Sequence, residues 1–212
     1  MDENIGKIMA AVDQNGLRDQ TMIWFLSDNG GITSAASNAP HTGRKGSAFE
    51  GGNRVPFILS WPGVAQPNTD EDRLMSGLDI FPTCLAAAGG KASDNPRKLD
   101  GVDLQPYLSG KRSDAIHPAL FWQRENIAAV RDGNWKLIRV RDQGIGLFNL
   151  GKKPTENDNL ASSHPERVDT MSKMLDQWLS EMSEPTWHEG KGWLPKRAAM
   201  HSKEYTPFVV GE

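Results

Sequence analysis

Asp28 and Asn29 stand side by side in Ser27-Asp-Asn-Gly-Gly31. A carboxylate and a side-chain amide oxygen are hard ligands of the kind that Ca²⁺ and Mg²⁺ prefer. The same letters also make a turn, because Asp, Asn and Gly tolerate the backbone conformations that turns need. Two ligands cannot fill a site of about 6 to 8 oxygens, so a metal reading requires donors from elsewhere. Further on, His41-Thr-Gly-Arg-Lys-Gly46 brings a histidine, an arginine and a lysine into one glycine-punctuated stretch. Lys45 can present a compact positive charge to an oxyanion, or it is a solvated loop lysine. Arg44 has the same two readings. His41 is either a substrate contact or a solvated loop histidine. Glu50 and Arg54 close the stretch Glu50-Gly-Gly-Asn-Arg54. Their spacing suits an ion pair that holds the loop better than a catalytic pair.

These groups need elements to position them. Thr21-Met-Ile-Trp-Phe-Leu26 is a short apolar run that reads as a strand buried on both faces, as in a parallel sheet. Before it, Ile5, Ile8, Met9 and Val12 recur at helical spacing, with Asn15-Gly16 as the stop. A helix, a buried strand and a polar loop at its carboxyl end form the α/β pattern that places ligands there. Residues 32–54 are polar and aperiodic, a long loop of the kind that is often functional. Val55-Pro-Phe-Ile-Leu-Ser-Trp61 predicts a second buried strand, with Pro56 near its start. Residues 74–88 predict a helix centred on Leu78, Ile80, Phe81, Leu85 and Ala88. Cys84 falls inside it and reads as a buried small hydrophobe.

A polar linker runs from Lys91 to about Asp103, and the character then changes. Ile127 to Arg131 and Trp135 to Val140 flank Asp132-Gly133-Asn134, a hairpin signal. Gly146-Leu-Phe-Asn-Leu150 is a candidate third strand. Val168, Met171, Leu175, Trp178 and Met182 predict a C-terminal helix, with Pro165 in its first turn. The fold class is therefore α/β. Residues 1–103 form a partial sheet with flanking helices; residues 104–212 form a small antiparallel sheet packed on a C-terminal helix, with a tail.

Composition sets bounds. With 212 residues, 24% charged and 37% hydrophobic, the chain is globular rather than disordered. A net charge of -3 argues against nucleic acid as a partner. No apolar run reaches the length of about 18 residues that predicts a membrane span. The single cysteine rules out an intrachain disulfide and a Cys-rich metal site. Among the seven tryptophans, Trp122 and Trp187, with Arg124, could line a glycan surface, or they pack in the core.

Taken in order, these segments resemble the sulfatase family, within the alkaline-phosphatase superfamily. The matching stretches are Phe25-Leu-Ser-Asp-Asn-Gly-Gly31, Gly43-Arg-Lys-Gly-Ser-Ala-Phe-Glu-Gly-Gly-Asn-Arg-Val-Pro-Phe57 and Ser60-Trp-Pro-Gly63. Leu78-Asp-Ile-Phe-Pro-Thr83, Leu99-Asp-Gly-Val-Asp103, Ala129-Val-Arg-Asp-Gly-Asn-Trp-Lys-Leu137 and Asn159-Leu160 follow. The resemblance implies an alkaline-phosphatase-like sheet and hydrolysis of an organic sulfate ester. It implies that Asp28 and Asn29 are two of four protein ligands to Ca²⁺, and that Lys45 contacts the sulfate ester, with His41 and Arg44 beside it. Sulfated glycans and small aryl sulfates both fit as substrates. A phosphate or phosphonate ester hydrolase of the same superfamily is the neighbouring reading. A non-catalytic fragment that binds a partner chain or an anionic glycan is the third.

The family's nucleophile is a formylglycine made from Cys or Ser in Cys/Ser-x-Pro/Ala-x-Arg. Cys84 has no arginine four places later, and Ser93-Asp-Asn-Pro-Arg97 has its proline one place late. The expectation is that the nucleophile and the remaining ligands belong to an N-terminal portion absent from this chain, which alone is inactive. Parallel strands without neighbours also imply an oligomer, a partner fragment or marginal stability. Relatives are often periplasmic, secreted or lysosomal; this chain opens Met-Asp-Glu-Asn without a signal peptide, and its compartment stays open.

Overall fold

The computed structural model describes residues 1–32, 34–141, 143–183 and 204–205. They fall into two compact units, one of residues 1–26 and 56–117, the other of residues 27–55 and 118–212. The division does not follow the change of character near Asp103. The loop between the first two strands packs with the later, β-rich part of the chain.

The first unit opens with α1 (Asp2–Gln14), which ends at Asn15 and Gly16 as the sequence predicts. None of its residues is buried. Strands β1 (Ile23–Leu26) and β2 (Phe57–Ser60) pair with each other in register Ile23 to Ser60 and Leu26 to Phe57. They are antiparallel, not parallel as expected, and they are not buried on both faces. Phe25 and Ile58, cross-strand partners, are 37% and 59% exposed. The pair is its own two-stranded sheet among the described residues, so no neighbouring strand fixes a parallel direction. Because Leu26 and Phe57 are partners, the chain leaves and re-enters at the same end of the ribbon.

After the one-turn α2 (Glu50–Asn53), which belongs to the second unit, helix α3 (Ile80–Ala87) follows a one-turn lead-in at Gly77–Asp79. Thr83 is buried, but Leu78, Phe81 and Cys84 are exposed, so Cys84 is not the core hydrophobe that its apolar surroundings suggest. The wholly buried Asp79 organises this unit. Its carboxylate accepts from the backbone N–H of Ser76 (2.7 Å) and Val102 (2.8 Å) and bonds to His117 Nε2 (2.8 Å). The Asp79 carbonyl accepts from Thr83 Oγ1, whose oxygen accepts from Leu104 N–H at 3.0 Å. These bonds draw the linker back onto α3. Leu104, Tyr107 of α4 (Gln105–Leu108) and Ile116 then pack with Trp24, Met75, Val102 and Leu108.

The second unit is a four-stranded antiparallel meander, β3 (Leu120–Arg124), β4 (Ile127–Asp132), β5 (Trp135–Val140) and β6 (Gly144–Asn149). The predicted hairpin is the β4–β5 pair, closed by Asp132 opposite Trp135, with Gly133 in the left-handed region at φ 53°. Strand alternation sorts the side chains onto two faces. Ala128, Val130, Leu137 and Leu147 face α5 (Pro165–Ser180) and meet Met171 and Leu175. Ile127, Ala129, Ile138, Val140 and Phe148 face the other way and meet Ala48, Phe49 and Tyr205. The sheet thus carries a helix on one face and the polar loop on the other. Asn159 ties the turn before α5 to β6, accepting from Leu147 N–H (3.0 Å) and donating to the Ile145 carbonyl (3.1 Å). No helix of the described residues is long and apolar enough to cross a membrane.

Replacing Asp79 by Ala strands several donors, each worth about 1–3 kcal/mol when buried without a partner. Native-state hydrogen exchange should show the Val102 amide losing protection by about tenfold or more, a factor of ten being about 1.4 kcal/mol. Unchanged protection at Val102 would show that Asp79 is not the organiser.

Candidate functional site

The loop from Ser27 to Val55 brings the predicted residues together through its backbone. Gly30 N–H donates to the Gly52 carbonyl (2.9 Å), and Lys45 N–H donates to the Gly31 carbonyl (3.1 Å). Asn38 fastens the same place: its Oδ1 accepts from Gly31 N–H (2.8 Å), and its Nδ2 donates to the carbonyls of Gly31 (2.9 Å) and Gly43 (3.2 Å). The two Gly-Gly pairs are required by this approach. A Cβ on Gly30 would fall 1.7 Å from the Gly51 carbonyl oxygen, and one on Gly52 2.3 Å from that of Ser47. Segment 28–31, which begins with Asp28-Asn29, is therefore clamped against segment 43–52, which carries Arg44-Lys45.

Two of the chemistry-bearing side chains face solvent and three are half-buried. Asp28 and Lys45 are exposed, and neither makes a side-chain hydrogen bond or ion pair among the described residues. Asn29 is half-buried and spends its Nδ2 on the Gly30 carbonyl at 3.2 Å. Arg44 is half-buried, with its backbone N–H held by Ser47 Oγ at 3.0 Å. His41 lies apart from this pair; its Nδ1 sits 3.2 Å from the Pro154 carbonyl. Thr42 continues that seam, bonding to Asn157 Oδ1 (3.2 Å) and accepting from Glu156 N–H (3.0 Å).

Glu50 does not pair with Arg54 through its side chain, as its spacing suggested. It is buried and reaches the sheet. Its Oε1 meets Lys136 Nζ at 2.9 Å and its Oε2 meets Arg131 Nη1 at 2.5 Å. Arg131 and Lys136 are direct cross-strand partners on β4 and β5. Like charges so placed repel, and the Glu50 carboxylate between them removes that cost. Glu156 adds a second carboxylate, 3.2 Å from Lys136 Nζ, and both of its oxygens accept from Glu50 N–H. Lys136 is wholly buried, with its ammonium 5.4 Å from the Trp122 ring centre. Burial works against the Glu50 carboxylate, but Lys136 and then Arg131 outweigh it and hold its pKa below the ordinary value. At Glu156 burial wins over Lys136 and pushes the pKa up.

The sequence reading missed Lys136, Arg131 and Glu156. The available signal was a lysine near the start of the Trp135–Val140 strand, with an arginine at the matching place across the hairpin. Of the proposed glycan surface, Trp122 is packed against the core and Arg124 Nη1 donates to the Gly46 carbonyl at 3.3 Å. Trp187 lies outside the described residues.

The Asp28-Asn29 pair fits two positions of an oxygen-ligated cation by donor chemistry, and only two. Among the described residues no cluster of three or more His, Cys, Asp or Glu could hold a metal. Unlike the stretches of Cys84 and Ser93, Ser163-His-Pro-Glu-Arg167 does carry the formylglycine spacing, so the expectation that no serine of this chain has the motif is corrected on its letters. Its setting is that of a helix start. Ser163 Oγ bonds to the Leu160 carbonyl (3.0 Å) and His164 Nδ1 (2.9 Å), and Pro165 is the first residue of α5. Arg167 lies over the Trp135 ring and pairs with Asp132 at 3.4 Å. Local contacts account for each residue of the match.

Residues 1–90 match the Sulfatase family model. A Sulfatase of Formosa agariphila is 30% identical over 218 residues, covering 88% of this chain and 39% of that protein. Arylsulfatase A of Bos taurus is 36% identical over 197 residues, covering 78% and 38%. Among solved structures, Ps i-CgsB in complex with k-i-k-neocarrahexaose superposes with a TM-score of 0.80 at 29% identity, over 97% of this chain and 46% of that one. The phosphonate monoester hydrolase of Agrobacterium radiobacter gives 0.68 at 25% identity, over 85% and 39%. The chain spans about two fifths of the length of these curated relatives.

Lys136→Ala would leave two buried carboxylates short of their shared cation, and should cost about 3–5 kcal/mol in urea unfolding at neutral pH. The two carboxylates titrate with opposite signs. The stability that Glu50 carries is present above the ordinary value of 4.5 and is lost as pH falls through its lower folded value. That of Glu156 is present below 4.5 and lost as pH rises through its raised folded value. Glu156→Gln should therefore gain on the wild type as pH rises from about 4 to about 8. A gain in the other direction would refute this assignment.

Proposed function

The chain belongs to the sulfatase family, and we propose that its loop from Asp28 to Arg54 forms the oxyanion and metal edge of a centre that hydrolyses organic sulfate esters. The clamp of segment 28–31 on segment 43–52 carries this reading, because it fastens the segment that begins with Asp28 and Asn29 onto the one that carries Arg44 and Lys45. Lys45, exposed and unpaired among the described residues, sets its charge against the sulfate oxygens. Charge aimed at where negative charge develops lowers the barrier. Arg44 adds a planar donor set beside it. His41, already engaged with the Pro154 carbonyl, sits further out as a substrate contact. Asp28 and Asn29 would hold a Ca²⁺ ion as two of its ligands, and the ion would polarise a sulfate oxygen as a Lewis acid. The attack on sulfur is assigned to no residue of this chain, since Cys84, Ser93 and Ser163 all lack a fitting setting. The relative solved with k-i-k-neocarrahexaose supports an oligosaccharide as the substrate class. The phosphonate monoester hydrolase neighbour supports the second reading, with a phosphonate in place of the sulfate.

Inorganic sulfate titrated into the purified chain should shift the backbone amide resonances of residues 43–47. Lys45→Ala should weaken this binding by about tenfold, the loss of one charge-assisted contact. Inorganic phosphate should compete poorly; tighter phosphate binding would favour the phosphonate reading. No shift with either anion would refute both. Turnover of an aryl sulfate by these 212 residues alone is expected to be negligible.

A further inference from the structure

Residues 204 and 205 return to the loop that carries Arg44 and Lys45 from far along the chain. Tyr205 is 1% exposed. Its hydroxyl oxygen accepts the Ala48 N–H at 2.9 Å, and its ring stacks on Phe49 at 4.9 Å between centres, 20° from parallel. Ala48 and Phe49 lie directly between Lys45 and the anchored Glu50. The next residue back, Glu204, shares a cleft of about 150 Å³ with Thr42 and Phe49. Its Oε2 is buried and has no hydrogen-bond partner among the described residues. Burial pushes its pKa up, and the Arg44 charge pulls against that rise. A half-buried carboxylate in a cleft lined by the loop that carries Arg44, with no bond to that cation among the described residues, is an uncommitted counter-charge.

We infer that this two-residue strap sets the anion affinity of the Arg44–Lys45 loop through two opposed effects. Tyr205 is a positioning residue: it fixes the backbone just after Lys45 and so holds the cationic edge in one geometry. Glu204 is an acidic neighbour that competes with an incoming oxyanion for Arg44. The inference rests on the reading that this loop binds an oxyanion. It adds that Glu204 and Tyr205, remote in sequence from every matched motif, are part of that site.

The test compares inorganic sulfate affinity in the full chain and four variants. Tyr205→Phe keeps the ring and removes the hydroxyl. It should speed exchange of the Ala48 amide and weaken sulfate by about fivefold, as expected for one backbone hydrogen bond. Glu204→Gln keeps the shape and removes the charge. It should tighten sulfate by about threefold, the scale of a partly screened charge. If either variant leaves sulfate affinity unchanged, or both move it the same way, the strap does not set affinity. Arg44→Ala and Lys45→Ala separate the two layers of the argument. If neither weakens sulfate, the loop is not an oxyanion site and both readings fall. If both weaken it while the strap variants do nothing, only the strap inference falls.

Discussion

The buried ammonium of Lys136 is the point on which the second unit turns. It sits in an apolar sheet, opposite Arg131, in a place where an unpaired charge would be prohibitive. Glu50 and Glu156 make that place tolerable, and in doing so they fix two other segments. Glu50 pins the start of the Glu-Gly-Gly turn onto the sheet, while Glu156 binds the Glu50 backbone and the ammonium together. Two carboxylates against two cations leave the cluster close to neutral. Such a cluster adds little net stability over apolar packing, but it has one satisfactory arrangement. Its contribution is the position of the loop.

From that anchor the rest of the site follows by backbone contact. With Glu50 fixed, Gly51 and Gly52 lie where Gly30 and Thr42 need them, and Gly31 takes the Lys45 amide. The charges divide by burial. Those that hold the loop, Glu50, Lys136 and Glu156, are buried and mutually satisfied. Those proposed to act, Asp28 and Lys45, are exposed and carry no partner among the described residues. This division suits a centre whose groups must be free to meet a metal and an anion. The strap at Tyr205 fixes the remaining side of the same loop.

Local patterns were legible in the sequence wherever one short segment decided the outcome. Asn15-Gly16 stops α1, Asp132-Gly133-Asn134 marks the β4–β5 hairpin, and the spacing of Val168, Met171, Leu175 and Trp178 gives α5. Features that depend on partners were not legible. The apolar runs of β1 and β2 suggested burial on both faces, yet the two strands meet each other and leave Phe25 and Ile58 exposed. Cys84 was judged by its apolar neighbours in sequence, but on α3 it turns outward. Glu50 was matched to Arg54 by spacing; its true partners, Arg131 and Lys136, lie more than eighty residues away on two neighbouring strands. Strand β3 was not anticipated, and Ser163 to Arg167 shows how a motif's letters recur at an ordinary helix start.

The claim that a buried ion cluster sets the loop is most directly tested by amide hydrogen exchange in Lys136→Met, which keeps the volume and removes the charge. The Glu50, Gly51 and Lys45 amides should all exchange faster than in the wild type, while the Leu147 amide, held by Asn159, stays protected. Unchanged exchange at Gly51 and Lys45 would contradict it, because the loop would then hold its place without the charge beneath it.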